Sequence, residues 1–170
     1  FYVLKSTSID KYTINPSAYN ELILVTSYSI INTNTSTLEL KVFNANVVIA
    51  KSYTSIHGTI NGGTNWNVTN LSSLSTSVTS TNIKRIYLYD EKRGVVVGNS
   101  FIIYSVDGFK TWKMVTENML NSSGLSYLLH NKNLTSIYMP NANDFYFSVF
   151  ENNEAKITKL FSPSVLNFHY

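Results

Sequence analysis

Acid–base, nucleophilic or metal chemistry in this chain would have to come from few side chains. Its three histidines, His57, His130 and His169, lie far apart. They lack the spacing of a metal site or of a nucleophile–histidine–carboxylate triad. There is no cysteine, which removes thiolate ligands, a cysteine nucleophile and disulfide staples. The carboxylates open to a glycosidase-type pair are Asp90, Glu91, Asp144, Glu151 and Glu154. Such a pair must face each other across a sugar. Each of these five sits in or beside a stretch with turn chemistry and polar neighbours, so they read as solvated turn carboxylates. No glycine run cradles a phosphate, and no cofactor or metal is expected.

Two short stretches stand out instead: SVDGFKTW at residues 105–112 and TINGGTNW at residues 59–66. A tight turn between strands needs backbone with positive φ, which glycine supplies cheaply. A carboxylate just before the glycine accepts hydrogen bonds from turn N–H groups. Asn61 can do the same through its amide oxygen. A tryptophan after the turn covers it and buries a large apolar area. Asp107 therefore reads as a structural group, neither catalytic nor metal-binding.

The elements that hold these turns are strands. The chain of 170 residues is 44% hydrophobic and only 14% charged, with 12 Tyr and 9 Phe. Serine, threonine and asparagine make up much of the polar remainder, a balance that favours strands over helices. FYVLKSTSI reads as one strand, and NELILVTSYSIINT as two strands with a break near Ser27. LELKVF alternates with period two, and NVVIA, SIHGTI and NWNVT follow. Residues 70–82, NLSSLSTSVTSTN, read as a surface connection with a frayed strand at the centre. IKRIYLY, VVVGN, FIIYSV and TWKMV give four strands in quick succession. A helical turn is expected at residues 125–129. LTSIYM, DFYFSVF and AKITKLF close the chain. Tyr87, Tyr89, Tyr138, Phe145, Tyr146 and Phe147 read as core aromatics, with a minority free to form a binding face.

An internal repeat organises these strands. Trp66 and Trp112 lie 46 positions apart, as do Thr59 and Ser105. The order strand, turn, small apolar strand, strand, glycine turn, tryptophan recurs. A third copy begins at Leu134 and has no such turn. Four strands per repeat of this length is the size of a propeller blade.

At these residues the sequence resembles the Asp-box, or bacterial neuraminidase repeat, with its Ser/Thr-x-Asp-x-Gly-x-Thr-Trp pattern. Ser105, Asp107, Gly108, Thr111 and Trp112 match it, and Phe109 replaces a second glycine. In the degenerate copy Thr59, Gly62, Gly63 and Trp66 match, and Asn61 stands for the aspartate. The phrasing around them is similar to propellers of the photosystem II assembly-factor and sortilin kind, over roughly residues 38–148. The resemblance implies a structural box at the outer part of each blade, away from an axial ligand pocket. It also raises sialidase activity, which in that fold clamps the substrate carboxylate with three arginines. This chain has two, Arg85 and Arg93, and lysine does not replace a bidentate clamp.

The fold expectation is all-β: a partial or open propeller of about three four-stranded blades with Asp-box turns, the alternative being a β-sandwich. Residues 1–37 read as leading strands of an incomplete blade. Residues 38–82 read as a blade with the degenerate box and 83–133 as a blade with the full box. Residues 134–170 read as an incomplete blade and tail. The net charge of +3 is spread without a basic stripe, so no nucleic-acid partner is expected. No apolar run spans a bilayer.

Three blades leave open edges. The expected partners are therefore other subunits or remaining blades of the same protein, with glycans as a further class. The chain begins at Phe1 without a methionine and reads as processed or as a piece of something longer. Its polar first residues and the tail at 161–170 are the expected contact segments. The composition and five glycosylation sequons point to an extracellular, viral or phage surface setting. The function expected is a non-enzymatic interaction or structural module. The alternatives are a fragment of a glycan-processing enzyme and a virion sandwich protein.

Overall fold

A computed structural model describes residues 1–15, 21–30, 38–99, 101–116, 133–141, 144–151 and 154–161. The strands form four antiparallel sheets. The first holds β1 (Tyr2–Leu4), β2 (Ser8–Asn15) and β3 (Glu21–Ser29). The second holds β4 (Glu39–Val42), β5 (Val48–Lys51), β6 (Ser55–Thr59) and β7 (Asn67–Asn70). The third holds β8 (Ile83–Leu88), β9 (Gly94–Gly98), β10 (Phe101–Ser105) and β11 (Lys113–Met114). The fourth holds β12 (Asn133–Asn141), β13 (Asp144–Glu151) and β14 (Glu154–Phe161). Within each sheet, strands pair in chain order, so every sheet is a simple meander.

The sheets stack in chain order through their first strands. β1 touches β4, β4 touches β8, and β12 touches β8 and β9. That is the arrangement of propeller blades about their innermost strands. The two middle sheets are covered on both faces. Their central strands are accordingly buried from end to end: VIAK in β5, GVVVG in β9 and FIIYS in β10. Continuous β-branched runs are what a doubly covered strand requires. Between the second and third sheets lie Ile49, Ile56, Ile86, Val96, Phe101 and Phe109. Between the first and second lie Ile9, Ile30 and Ala50, flanked by Tyr2, Tyr28 and Trp66.

Several local expectations change. FYVLKSTSI is two strands, because the polar Lys5–Ser8 stretch makes a turn closed by Lys5 N–H donating to Ser8 O at 2.7 Å. ELILVTSYS is one strand: Lys11 pairs with Thr26 and Tyr12 with Leu24, so Val25 is an extra residue in a bulge. A bulge absorbs a local irregularity without ending the strand. Residues 71–73 form a short 3-10 helix in place of a frayed strand. Asn70 caps it, accepting from Ser72 N and Ser72 Oγ at 3.1 and 2.9 Å. The leading strands form a three-stranded sheet of their own, and four successive sheets lie among the described residues. The helical turn expected at 125–129 and the tail at 162–170 lie outside the described residues.

Candidate functional site: two turns and two free sheet faces

The β10–β11 turn is organised by one carboxylate. Asp107 Oδ1 accepts from Ser105 Oγ at 3.0 Å, Lys110 N at 3.0 Å and Thr111 N at 3.1 Å. Asp107 Oδ2 accepts from Thr111 Oγ1 at 2.7 Å. Burial alone would raise its pKa, but these bonds outweigh that and hold it below the ordinary value. The β6–β7 turn repeats the scaffold with weaker chemistry. Thr59 Oγ1 donates to Asn61 Oδ1 at 3.0 Å, and Asn65 N donates to the same oxygen at 2.9 Å. Gly63 N donates to Thr59 Oγ1 at 3.1 Å.

The backbones correspond closely. Gly62 and Gly63 have φ of 71° and 87°; Gly108 and Phe109 have 74° and 64°. Gly62 N–H reaches Asn46 O, and Gly108 N–H reaches Lys92 O, tying each turn to the neighbouring turn of its own sheet. Trp112 is buried and stacks on Phe109, with ring centroids 6.1 Å apart. Trp66 is half-buried and stacks on Tyr28 at 4.6 Å. Neither indole N–H finds an acceptor among the described residues.

Among the described side chains, the remaining turn carboxylates do not converge. Asp90 closes the β8–β9 turn, accepting from Lys92 N, Arg93 N and Arg93 Nε at 2.8, 2.8 and 2.7 Å. Arg93 is buried over the Tyr89 ring. Glu91 is exposed and accepts from Asn44 Nδ2. Asp144 and Glu151 mark the two ends of β13, and Glu154 begins β14. Among the described residues no group of three or more His, Asp or Glu side chains is placed to hold a metal. No helix among them is long and apolar enough to cross a membrane.

Two polar clusters escaped the sequence reading because their members meet only through strand pairing and sheet stacking. His57 Nε2 lies 3.0 Å from Ser52 Oγ, and its Nδ1 lies 3.3 Å from Tyr28 Oη. The row has the order of a hydroxyl activated by an oriented base. Ser52, however, has no exposed surface for a substrate to reach, and burial pushes the His57 pKa down to about 4. It is a satisfied interior cluster between the first and second sheets. The second cluster surrounds Asp10, which accepts from Ser27 Oγ at 2.6 Å, Ser8 Oγ at 2.9 Å and Tyr12 Oη at 3.3 Å, and pairs with Lys5. The Lys5 and Ser27 bonds hold its pKa well below the carboxylate range. Its immediate neighbours cap it on the outer face of the first sheet, where it is 3% exposed.

Strand register shows which faces the other described strands leave uncovered. In the first sheet, Tyr2, Lys11 and Tyr28 point at the second sheet: Tyr2 Oη donates to Ala45 O, and Lys11 Nζ donates to Gly62 O. The opposite face carries Phe1, Val3, Tyr12, Ile14, Leu22 and Leu24, because Ile14 pairs with Leu22 and Tyr12 with Leu24. All of these but Tyr12 are exposed. In the fourth sheet, the cross-strand pair Ile137–Phe147 is buried. Tyr138, Phe150 and Ile157 are exposed. An apolar cleft of about 410 Å³ lies among Ile137, Tyr138, Pro140, Tyr146, Phe147 and Ile157, and Tyr138 meets Tyr87 of β8 edge-on, with ring centroids 6.4 Å apart. Single exposed apolar residues need no explanation, but contiguous faces of this kind mark contact sites.

Meandering sheets stacked through their first strands, with both terminal sheets open, define a propeller-like all-β protein. No family model matches the chain, and no curated protein matches it. Among solved structures it is similar to YCF48, a photosystem II assembly propeller, in its complex with a D1 peptide. The two are 10% identical with a TM-score of 0.53, over 92% of this chain and 44% of that chain. This chain thus spans less than half the length of the structure it matches, and the likeness speaks for the fold.

Proposed function

We propose that this chain is a non-enzymatic interaction or structural module. It is built on propeller blades whose hairpins are Asp-box turns, and it works inside a larger assembly or a longer protein. The observation that carries the reading is the pair of exposed apolar patches on the terminal sheets, beside an interior imidazole and turn carboxylates that are tied up within the fold. Asp107, Asn61 and Asp90 spend their hydrogen-bonding capacity on turn backbone and neighbouring side chains. The bound D1 peptide in the YCF48 structure supports protein as the partner class. The test is incubation of the purified chain with sialosides and aryl glycosides, with no turnover expected. Turnover that disappears on replacing Asp144, Glu151 or Glu154 would overturn the non-enzymatic reading.

A further inference from the structure

A second cleft lies at the end of the second sheet remote from its Asp-box turn. The β5–β6 turn supplies Tyr53 and Thr54 to it, and the end of β7 with the 3-10 helix supplies Asn70, Leu71 and Ser72. Residues 78–81, on the crossing to β8, complete it. Its volume of about 340 Å³ falls within the usual span of ligand pockets, roughly 300–1,000 Å³. We propose that this cleft binds a neutral saccharide.

Hydrogen bonds fix its walls. Leu71 N–H donates to Thr54 O at 2.8 Å, which joins the helix to the β5–β6 turn. Lys51 Nζ donates to Ser80 O at 3.3 Å and Ile83 N–H to Thr79 O at 3.2 Å, which hold the crossing in place. Walls tied in this way keep their shape without a ligand, so little ordering is lost on binding.

The lining combines two chemistries. Leu71, Val78 and Ser80 are buried and make the floor. Tyr53, Thr54, Asn70, Ser72, Thr79 and Thr81 are exposed and make the rim. Every described side chain that lines the cleft is uncharged. The ammonium group of Lys51, behind Ser80, is given to the Ser80 carbonyl. A phosphate or carboxylate would therefore lose water there without gaining a counter-charge. A purely apolar ligand would cover the rim hydroxyls and leave them unpaired.

A sugar meets both demands. Asn70 Oδ1 accepts from Ser72 N and Ser72 Oγ, which leaves the amide nitrogen as a double donor beside the lone pairs of Ser72 Oγ. Thr79 Oγ1 and Thr81 Oγ1 lie 3.1 Å apart. One proton joins them, and the other remains to donate. Such neighbouring donors and acceptors match the adjacent hydroxyls of a sugar ring, each of which does both. The C–H face of the same ring is apolar and suits Leu71, Val78 and the ring of Tyr53, which is 44% exposed.

This site goes beyond the interaction reading above, and the two fail separately. Glycoside turnover sinks that reading, whereas a lack of saccharide binding sinks this one. The test is saturation-transfer NMR on the whole chain with maltotriose, cellotriose and chitotriose, and with sialyllactose as the charged control. Transfer to ring protons of at least one neutral probe is expected, with an affinity in the millimolar range. Tyr53→Ala should weaken that binding about tenfold, while Tyr53→Phe keeps it. Thr81→Val, which keeps the shape and removes a hydroxyl, should weaken it about fivefold. Both positions are exposed, and Thr81→Val decides should Tyr53→Ala fail to fold. No transfer to any neutral probe, undiminished binding by the folded variants, or sialyllactose held more tightly than every neutral probe would each overturn the proposal.

Discussion

Phe109 has φ of 64°, in the left-handed region that a bulky side chain enters at a cost of about 1–2 kcal/mol. The position stays aromatic because the ring is buried against Trp112 and fills space that two glycines leave open. A Cβ on Gly58 would lie 2.5 Å from Phe109 Cβ, and one on Gly94 would lie 3.1 Å from its ring edge. Phe109→Gly should relieve the backbone yet still lose roughly 2–4 kcal/mol of stability, since the emptied ring site outweighs the strain. Gly58→Ala should destabilise through the clash, and Trp112→Ala should cost about 3–5 kcal/mol. Urea unfolding measures all three, and an unchanged midpoint for Trp112→Ala would remove it from the core.

His57 makes a separate prediction at the same scale. Its ordinary value of 6.5 falls to about 4 on folding through burial. The unfolded chain therefore binds a proton that the folded chain refuses. The stability tied to neutral His57 is complete above about pH 6.5 and drains away as pH falls toward 4, on the order of 2–3 kcal/mol. Asp10, Asp90 and Asp107 have lowered pKa values, so their contributions persist through that window and fade only at lower pH. In His57→Gln, unfolding free energies at pH 7 and pH 4.5 should lie closer together than in the parent. Equal slopes would mean the imidazole is not shielded.

At the scale of the element, two turns share one backbone and differ in one oxygen acceptor. Asp107 gathers two backbone N–H groups and two hydroxyls, while Asn61 gathers one of each. Bonds to a charged acceptor are stronger than neutral ones. Asp107→Ala should therefore cost about 2–3 kcal/mol and Asn61→Ala about 1 kcal/mol. Paired thermal melts of the two variants would reverse that order if the charge made no difference. The β3 bulge at Val25 is a second device at this scale, giving a twist to an edge strand that carries Leu22, Ile23 and Leu24 in the open.

Across the whole molecule, protection is graded from the middle outward. Strands β5, β9 and β10 are buried throughout, while β3 is mostly exposed. Amide hydrogen exchange should be slowest in those three central strands and fastest along the outer part of β3. Equal protection across all four sheets would contradict a stack stabilised from its centre. Acid should loosen the contact between the first and second sheets early, because His57, Tyr28 and Trp66 meet there.

What the amino-acid order determined by itself was local. Strand runs, the all-β class and the two matched turns are encoded within a few residues, where glycine, a short acceptor and a tryptophan act on adjacent backbone. The 46-residue spacing of Trp66 and Trp112 carried the repeat. Tertiary structure decided the rest. Asp10 meets Ser27, and His57 meets Ser52 and Tyr28, only after strands pair and sheets stack. Whether Leu24 faces solvent or core depends on register, because a slip of one residue turns every side chain of a strand to the other face. The bulge at Val25 is such a slip, and nothing in ELILVTSYS marks where it falls. The free faces of the first and fourth sheets therefore became visible only when the packing of their other faces was known.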